Sequence, residues 1–484
     1  VKHGAITSKP TTMDSPTMDS PTMDRLATSV PSRFRFSPFR IGILWVWVGL
    51  ACGLSGCGRS GQPGEQAGAD QSSAVAKVSE PEPAAATGPA AKPVPAEPQV
   101  YELSAEHLLS ARLTPEEASD GWIRLFDGHS LFGWQIAGAA NFRVEDGNIV
   151  ADGGDVCLLC TSIAWQDYEL LVEFKAQEET NSGVFLRTLL DPQDVEMDCY
   201  EVNIAPDDNP FPTASIVGRK KVEPSGAPQP FDVWRTMTMR LEGDQLRVSL
   251  DGEPVCDYTD PVGLATGRIG LQHNSGRIEF RKVILRPLGL ESLLDEELSQ
   301  WKQYPEMDAR FTVNDEGYLR VQGGSGQLET RAQYGDFVLL AEYKLAMPET
   351  NSGIFFRCIP GDKMMGYECQ VSNQMENGNP LKPADCGTGG IFRRQDARVV
   401  AGEADRWATV LLTAQGASMA AWVNGIQVSD WTDTREPDEN PRRGLRTDPG
   451  TIMIQGHDPQ TDGLFKQFRV RSLDQPGELE EPRE

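Results

Sequence analysis

The sequence predicts an all-β protein built from two tandem β-sandwich domains. The first observation is a segment that occurs twice, as Asn181-Ser-Gly-Val-Phe-Leu-Arg187 and as Asn351-Ser-Gly-Ile-Phe-Phe-Arg357. The second is an alternating apolar run before each copy, at Asp167–Lys175 and Asp336–Lys344, which is typical of a half-buried strand. The two copies lie 170 positions apart. Because solenoid repeats are only about 20–50 residues long, the repeat indicates a duplicated domain.

The third observation is a series of short strand-like runs separated by turn residues. In the first domain a hairpin from Phe142 to Val150 turns at Asp-Gly. The predicted strands that follow are Tyr168–Phe174, Val184–Leu189, Tyr200–Ile204, Thr236–Leu241, Leu246–Leu250, Arg268–Gln272 and Ile278–Leu285. The second domain repeats the scheme, with a hairpin from Phe311 to Val321 and a last strand from Leu464 to Arg471. Without helical crossovers, each domain is predicted to be a sandwich or jelly roll.

The predicted domains span residues 119–287 and 301–473. A short helical segment from Ser104 to Ala118 precedes the first domain. Residues 288–300 are Leu-rich and acidic, and we expect them to form a brief helical connector. The acidic, Pro-containing tail 474–484 is predicted to be disordered.

The N-terminal part of the chain predicts export and lipid anchoring. Within residues 1–57, three arginines precede an apolar run from Ile41 to Gly56, which is the pattern of a secretory signal. The run ends in Leu54-Ser-Gly-Cys57, which resembles the bacterial lipobox and predicts lipidation of Cys57. A plain transmembrane anchor is the alternative, but the apolar run is short for a span of about 20 residues. Residues 58–100 are rich in Ala, Pro and Gly and are expected to be a flexible tether, so the predicted location is the cell envelope.

Charge and cysteine content exclude some functions. The formal net charge of −26 argues against nucleic acid, which requires a basic surface. Of nine cysteines, seven remain after Cys52 in the signal and Cys57 are set aside, so at least one is free or pairs between chains. Cys157 and Cys160 form a lone C-x-x-C without a second pair at zinc spacing. This favours buried thiols or a disulfide over a zinc site.

Strand alternation places polar candidates of each copy on one face. In Tyr367–Val371, the side chains of Glu368 and Gln370 face away from the apolar side, and Glu201 and Asn203 do the same in the first copy. A carboxylate next but one to an amide, backed by an apolar face, is typical of a sheet surface that binds hydroxyl groups. A solvated outer face is the alternative. Repetition of the pattern within one chain favours the ligand surface.

The repeated segment and a later strand add further candidates. The same parity places Asn351, Phe355 and Arg357 together on one face. His457 lies two positions from Gln455 and is therefore expected on the same strand face, although an exposed turn residue is an equal alternative. No nucleophile elbow, zinc-protease, phosphate-loop or dinucleotide motif occurs in a supporting context.

Both halves of the chain resemble the bacterial 3-keto-disaccharide hydrolase domain family. The shared features are the opening Leu125–Gly128 with Leu131–Trp134, the Asn-Ser-Gly strand, the Tyr-Glu strand and the closing strand. The resemblance covers about residues 119–473 and implies a concanavalin A-like jelly-roll sandwich with a concave sheet. The second copy matches a subgroup through further segments: Gly366–Gln370, Lys382–Asp385, Gly387–Arg394, Trp422–Gly425, Asp430–Asp433 and Gln455–Asp458.

The first copy departs from this pattern. His273 stands one residue before the usual histidine position, which Asn274 occupies, and a shift by one residue turns a strand side chain to the opposite face. The segment equivalent to Gly387–Arg394 is also different, Thr213–Gly218. We therefore expect the first copy to be a degenerate domain that binds without catalysis.

The resemblance implies hydrolysis or lysis of 3-keto-glycosides. A ketone at C3 acidifies the C2 hydrogen, so that a base removes it, the C1 substituent leaves and water adds to the enone. In the second copy, His457 or Glu368 is the expected base, Arg357 stabilises developing negative charge, and Asn351 with Gln370 holds hydroxyl groups. A divalent metal on His457 and Glu368 is an alternative that would polarise the C3 carbonyl. The remaining candidates for substrate binding are Gln455, Asn181, Arg187, Glu201 and Asn203.

The sequence is compatible with three hypotheses about function. The first is a surface lipoprotein enzyme acting on oxidised glycosides. The second is a non-catalytic carbohydrate-binding protein that uses the same concave sheets, and the third is a structural envelope protein. Sandwiches of this kind host both catalysis and binding, so the fold alone does not decide.

Overall fold

The structure is a computed structural model that describes residues 103–224 and 229–473. All of these described residues belong to one compact unit. The predictions for the signal segment, Cys57, the tether and the acidic tail lie outside the described residues. Within the described ranges, no helix is long and apolar enough to cross a membrane.

The first half of the described chain contains two short helices and a series of strands. The helices are α1 (Ala105–Ser110) and α2 (Pro115–Ser119). The strands are β1 (Ile123–Arg124), β2 (Trp134–Ala137), β3 (Arg143–Glu145), β4 (Asn148–Ala151), β5 (Cys157–Thr161), β6 (Tyr168–Ala176), β7 (Ser182–Thr188), β8 (Tyr200–Ile204), β9 (Arg235–Glu242), β10 (Gln245–Leu250), β11 (Glu253–Thr259), β12 (Arg268–His273) and β13 (Ile278–Pro287).

The second half is also built from strands, with one 3₁₀ turn at Glu376–Gly378. The strands are β14 (Glu291–Ser292), β15 (Trp301–Gln303), β16 (Arg310–Val313), β17 (Leu319–Gln322), β18 (Gly326–Tyr334), β19 (Phe337–Leu345), β20 (Ser352–Cys358), β21 (Tyr367–Val371), β22 (Ala408–Gln415), β23 (Ser418–Val423), β24 (Ile426–Thr432), β25 (Gly450–Gly456) and β26 (Asp462–Ser472).

The strands form two antiparallel sandwiches with the same topology, which confirms the predicted fold class. In the first sandwich a large sheet has the order β11-β10-β9-β6-β13-β4-β3, with β1 on β13, and faces a small sheet β2-β5-β12-β7-β8. In the second, the large sheet is β16-β17-β26-β19-β22-β23-β24, with β14 on β26, and the small sheet is β15-β18-β25-β20-β21. Each hydrophobic core lies between a large and a small sheet.

In the large sheet of the second sandwich, strands β19, β22 and β23 are buried on both faces. Val338 and Leu340 of β19 and Trp422 of β23 pack into the core cluster of the first sandwich, where the Trp422 ring lies 5.7 Å from that of Trp165. A buried ion pair between Arg398 and Asp127, 2.9 Å long, joins the same two bodies. The prediction of a half-buried strand is therefore wrong for β19, which is buried at all but one position, and holds for its counterpart β6, where buried and partly exposed positions alternate. The two sandwiches therefore form one packed body.

Two local predictions concern the segments that precede and follow the first sandwich. The helical segment before the first domain is confirmed as α1 and α2, which Ser104 and Thr114 cap. The prediction of a helical connector at 288–300 is wrong. This segment contains no helix, and it adds β14 to the large sheet of the second sandwich. Leu293 and Leu298 of the connector are buried in the second core, so tertiary packing rather than helix propensity decides its conformation.

Candidate functional site

The polar residues of the Tyr-Glu strand lie on the outer face of the small sheet in the second sandwich. Phe355 of β20 pairs with Glu368 of β21 on one side and with Met453 of β25 on the other, and Gly353 pairs with Gln370. Residues opposite each other in a sheet share a face. One row on this face therefore holds Glu368, Phe355 and Met453, and the neighbouring row holds Gln370 and Gly353. Ile354 and Phe356, with the opposite parity, point into the core. The predicted face for Glu368 and Gln370 is confirmed.

Glu368 is the most perturbed acid of this face. The residue is 8% exposed, and burial raises the pKa of its carboxyl to about 7. That value already includes the charges nearby: Arg442 and Arg393 lower the pKa, and Asp385 contributes to its rise. The carboxylate lies across Gly353, where an added Cβ would approach its Oε1 to 2.8 Å, so a larger residue at this position would displace the carboxylate. The result is a buried acid that changes charge near neutral pH.

An amide cluster lies beside Glu368. The Nδ2 of Asn351 donates to the carboxylate of Asp385 at 2.7 Å, and the Nε2 of Gln370 donates to Asn351 Oδ1 at 3.1 Å and to Asp385 at 3.2 Å. The carbonyl oxygens of the Gln370 and Gln455 side chains are buried without a hydrogen-bond partner. Buried polar atoms are rarely left unpaired, so these two acceptors point to a donor supplied by a ligand or water.

Arginines border an open cleft next to Glu368. The cleft has a volume of about 220 Å³, and Phe392, Arg393, Arg394 and Arg442 contribute to its lining. Arg442 Nη2 donates to the carbonyl oxygen of Met364 at 2.7 Å, and its guanidinium lies 5.9 Å from the centre of the Phe355 ring. These contacts hold a positive charge close to the buried acid.

The first sandwich keeps the acid but lacks counterparts of Arg393 and Arg442. It does have an arginine equivalent to Arg394, which is Arg219 and lies 3.9 Å from the carboxylate of Asp260. Burial raises the pKa of Glu201 to about 7, and the Gln272 side chain partly offsets that rise. The backbone N–H of Val217 donates to the carbonyl oxygen of Glu201, and the N–H of Phe392 donates in the same way to Glu368. The residues that follow, Gly218 and Arg393, are therefore equivalent. The Asn203 amide donates to the carbonyl oxygen of Phe211 rather than to a carboxylate.

The loop that carries Arg442 is longer in the second sandwich. In both copies the hydroxyl of the tyrosine in the Tyr-Glu strand donates to an aspartate and accepts from a backbone N–H further along the chain. These two bonds mark equivalent first and last residues of the loop in the two copies. These ends are Asp260 and Leu264, four positions apart, in the first copy and Asp433 and Arg446, thirteen positions apart, in the second. The nine additional residues form one wall of the cleft.

The parity prediction for the repeated segment is confirmed for Asn351 and Phe355 and wrong for Arg357. The register of β20 with β25 shifts between Phe355 and Cys358, and Arg357 has a φ of 47°. Its side chain is 0% exposed and donates to the backbone oxygens of Gly335 and Gly416 and to the carboxylate of Asp336 at 2.8 Å. Arg357 therefore holds the fold together and does not face the cleft.

Arg187 repeats this arrangement in the first sandwich. Its φ is 46°, it is buried, and it donates to Asp167 at 2.7 Å and to the carbonyl oxygen of Gln166. Asn181 lies just before β7 and pairs with Ser275. The arginine of the repeated segment is thus a structural element of both copies.

His457 lies just beyond the end of β25, away from Glu368. Its side chain is 44% exposed, and its Nδ1 lies 2.9 Å from the Asp458 carboxylate. In the register of β21, β20 and β25, Glu368 lies two strands away from Met453, and His457 lies four residues beyond Met453. At the usual strand spacings the Cα atoms of His457 and Glu368 are therefore about 17 Å apart. A metal ion shared by these two side chains does not fit this spacing. In the part of the chain that the structure describes, no group of three or more His, Cys, Asp and Glu side chains could hold a metal.

The cysteines of the described ranges are free and buried, including Cys157 and Cys160 within β5. Sequence reasoning missed Arg393, Arg442 and Asp385 as members of the site. The signals that could have found them are the long loop after β24 and the Lys382–Asp385 and Gly387–Arg394 segments, which differ between the two copies.

Comparison with known proteins now adds to the geometry. A family model described as the 3-keto-alpha-glucoside-1,2-lyase-like domain matches residues 121–286 and again residues 289–471. The chain belongs to this family. Its two sandwiches are therefore carbohydrate-related domains in tandem, as the repeat predicted.

Solved structures match parts of this chain at low identity and low TM-score. A candidate glycosyl hydrolase from Parabacteroides distasonis ATCC 8503 is 19% identical, and the match covers 37% of this chain and 99% of that one, with a TM-score of 0.33. The carbohydrate-binding module CBM66 from Bacillus subtilis is 16% identical, over 32% of this chain and 95% of its own, with a TM-score of 0.25. No curated protein matches the sequence.

Proposed function

We propose that the second sandwich of this 3-keto-α-glucoside-1,2-lyase-like protein cleaves 3-keto-glycosides, with Glu368 as the general base. The observation that carries the proposal is the buried Glu368 carboxyl beside an open cleft, with a pKa of about 7. A general base works best when its pKa lies near the working pH, because it is then both available as the carboxylate and basic enough to accept the proton.

The cleft offers a partner for each stage of the elimination. Glu368 takes the C2 proton, the C–H electrons form the enolate of the C3 ketone, and collapse of the enolate breaks the C1–O bond. The departing oxygen takes up a proton and leaves as an alcohol, and water then adds to the enone. Arg442 replaces Arg357 as the group that stabilises the enolate, since all the polar contacts of Arg357 described above are with the protein itself.

The amide cluster would hold the sugar hydroxyls. A hydroxyl group can donate to the unpaired carbonyl oxygens of Gln370 and Gln455, which lie on the same face as Glu368. Asn351 and Asp385 orient Gln370 through hydrogen bonds. No step of the proposal uses a metal, because the spacing of His457 and Glu368 does not suit one.

Non-catalytic carbohydrate binding is the second candidate, and it applies to the first sandwich. There Glu201 is buried in the same way, but Gly218 replaces Arg393 and the shorter loop supplies no counterpart of Arg442. An acid without a cation beside it lacks the group that would stabilise an enolate. We therefore assign turnover to the second sandwich alone.

The test measures aglycone release from a 3-keto-glucoside by the full chain, by the matched variants Glu368→Gln and Glu201→Gln, and by His457→Ala. Glu368→Gln is expected to lower kcat at least 10³-fold, which corresponds to about 4 kcal/mol of transition-state stabilisation, and Glu201→Gln should retain turnover. Loss of turnover in Glu201→Gln alone would place the activity in the first sandwich. Full turnover in Glu368→Gln with loss in His457→Ala would restore His457 as the base.

A protein that binds the saccharide without releasing aglycone would support the binding function instead. Binding is measured separately, as a shift in melting temperature with the unoxidised glucoside. Turnover that disappears with a chelator and returns with a divalent ion would overturn the metal-free mechanism.

We also propose that the chain is held at the cell envelope by a lipid on Cys57. The support is the lipobox-like Leu54–Cys57 after an apolar run, followed by a tether-like composition. In a bacterial host fed labelled palmitate, the protein should carry label and the Cys57→Ala variant should not. Equal labelling of both would refute the anchor.

A further inference from the structure

The cleft beside Glu368 carries more positive charge than the proposed elimination needs. Arg393, Arg394 and Arg442 line it together with a single acid, Glu368, in a chain whose formal net charge is −26. Among the described residues, none of these three arginines forms an ion pair with a carboxylate. Nearby Arg435, by contrast, is paired with Asp433 at 2.7 Å. The cleft lining therefore carries three arginines that no carboxylate of the described residues pairs with.

The arginines are held in place by contacts that leave charge unneutralised. Arg394 Nη2 donates to the carbonyl oxygen of Arg442 at 3.0 Å, and this bond joins the two loops that carry these arginines. The guanidinium of Arg393 lies 5.1 Å from the centre of the Phe392 ring and is exposed to solvent. Burial lowers the pKa of Arg394 most, the positive charges of Arg435 and Arg393 lower it further, and Asp433 and Tyr367 oppose this.

Arg393 also occupies a backbone conformation that favours glycine. Its φ is 59°, and the equivalent residue of the first sandwich is Gly218, with a φ of 73°. An L-residue in this left-handed region is uncommon, because its Cβ is crowded there and glycine has none. Strained residues of this kind cluster at ligand sites, so the second copy retains a cation here where glycine would fit the backbone better.

We propose that Arg393, with Arg394, forms a subsite for an anionic substituent on the glycoside, either the carboxylate of a uronic acid or a sulfate ester. Guanidinium groups pair with planar or tetrahedral oxyanions through two parallel hydrogen bonds, which gives both affinity and orientation. This inference rests on the proposed function, because it adds a charge requirement to the substrate of the same site. It makes the second sandwich selective for acidic glycosides.

The experiment uses the full chain and measures binding separately from turnover. By calorimetry, the protein should bind a methyl glucuronide at least tenfold more tightly than methyl glucoside, and the preference should fall as salt rises from 20 to 500 mM. The Arg393→Gly variant carries the residue of the first copy and relieves the backbone strain. It should lose most of the preference for the glucuronide without losing stability.

Arg443→Gln is the matched control, because Arg443 neighbours Arg442 in sequence but its side chain is 72% exposed and lies 3.8 Å from Asp438. This variant should keep the preference of the native chain. A 6-sulfated glucoside tested in parallel identifies the preferred anion as carboxylate or sulfate. Equal affinity for the glucoside and both anionic sugars, or an unchanged preference in Arg393→Gly, would overturn the subsite.

The two proposals fail in different ways. If the anionic sugars bind preferentially but no 3-keto-glycoside is cleaved, the subsite stands and the proposed reaction is wrong. If 3-keto-glucoside and 3-keto-glucuronide are cleaved with equal kcat/KM, the reaction stands and the subsite is wrong.

Discussion

Replacing Glu368 by Gln should stabilise the protein at alkaline pH and leave its stability unchanged in acid. Glutamine has the shape of the protonated glutamate and carries no charge, so it tests the cost of burying the carboxylate. An ordinary glutamate has a pKa of 4.5, whereas burial raises that of Glu368 to about 7 in the folded protein. Between these two values the folded state binds more protons than the unfolded state, and its stability therefore falls as pH rises.

The magnitude follows from the same two values. A difference of one pKa unit corresponds to 1.36 kcal/mol, so the ionised Glu368 destabilises the folded state by about 3 kcal/mol once the pH exceeds 7. Below about pH 4.5 the carboxyl is protonated in both states and costs nothing. The variant should thus gain about 3 kcal/mol in the free energy of unfolding at pH 8 and nothing at pH 4.

Urea unfolding of the native chain and the variant at pH 4, 6 and 8 measures this difference. All other titrating groups are common to both proteins, so the difference isolates Glu368. Glu201→Gln serves as an internal comparison, because the pKa of Glu201 is also about 7 and the same pH dependence is expected. The two variants should therefore match in stability and differ in turnover.

The reasoning would be refuted if Glu368→Gln had the same stability as the native chain at pH 8. The carboxylate would then be solvated, its pKa would be near 4.5, and it would be a weak base at neutral pH. A stability gain of equal size at every pH would instead show that packing, not charge, separates Gln from Glu at this position.

Three further predictions concern the residues that build and border the site. Arg357→Gln should lower the free energy of unfolding by about 3–5 kcal/mol in a urea titration, because it removes the hydrogen bonds that the buried guanidinium donates to Asp336 and to three backbone oxygens; normal stability with lost turnover would return Arg357 to the chemistry. Trp422→Ala should cost about 3–5 kcal/mol and divide the calorimetric transition into two, since Trp422 packs between the sandwiches, and a single unchanged transition would contradict this. Gln455→Met should leave stability nearly unchanged but weaken saccharide binding about tenfold by removing an unpaired acceptor; unchanged affinity by calorimetry would exclude Gln455 from the site.

Properties that depend on neighbouring residues along the chain were predictable. Side chains alternate along any strand, so the faces of Glu368 and Gln370 could be assigned from Tyr367–Val371 alone. The same rule was wrong for Arg357, because the shift that redirects it arises from the pairing of β20 with β25. The connector at 288–300 was mispredicted for a related reason, since its leucines are buried by a sheet that is distant in sequence.

The sequence by itself determined the tandem β architecture and the family, because periodic apolar runs and a repeated segment are written in the order of residues. Only the tertiary structure decided which charges meet. Glu368 and Arg442 are more than seventy positions apart, and they become neighbours only when the long loop after β24 folds over the sheet. The raised pKa of Glu368 likewise depends on burial by residues from several strands and loops, and burial is a property of the folded chain rather than of any segment of it.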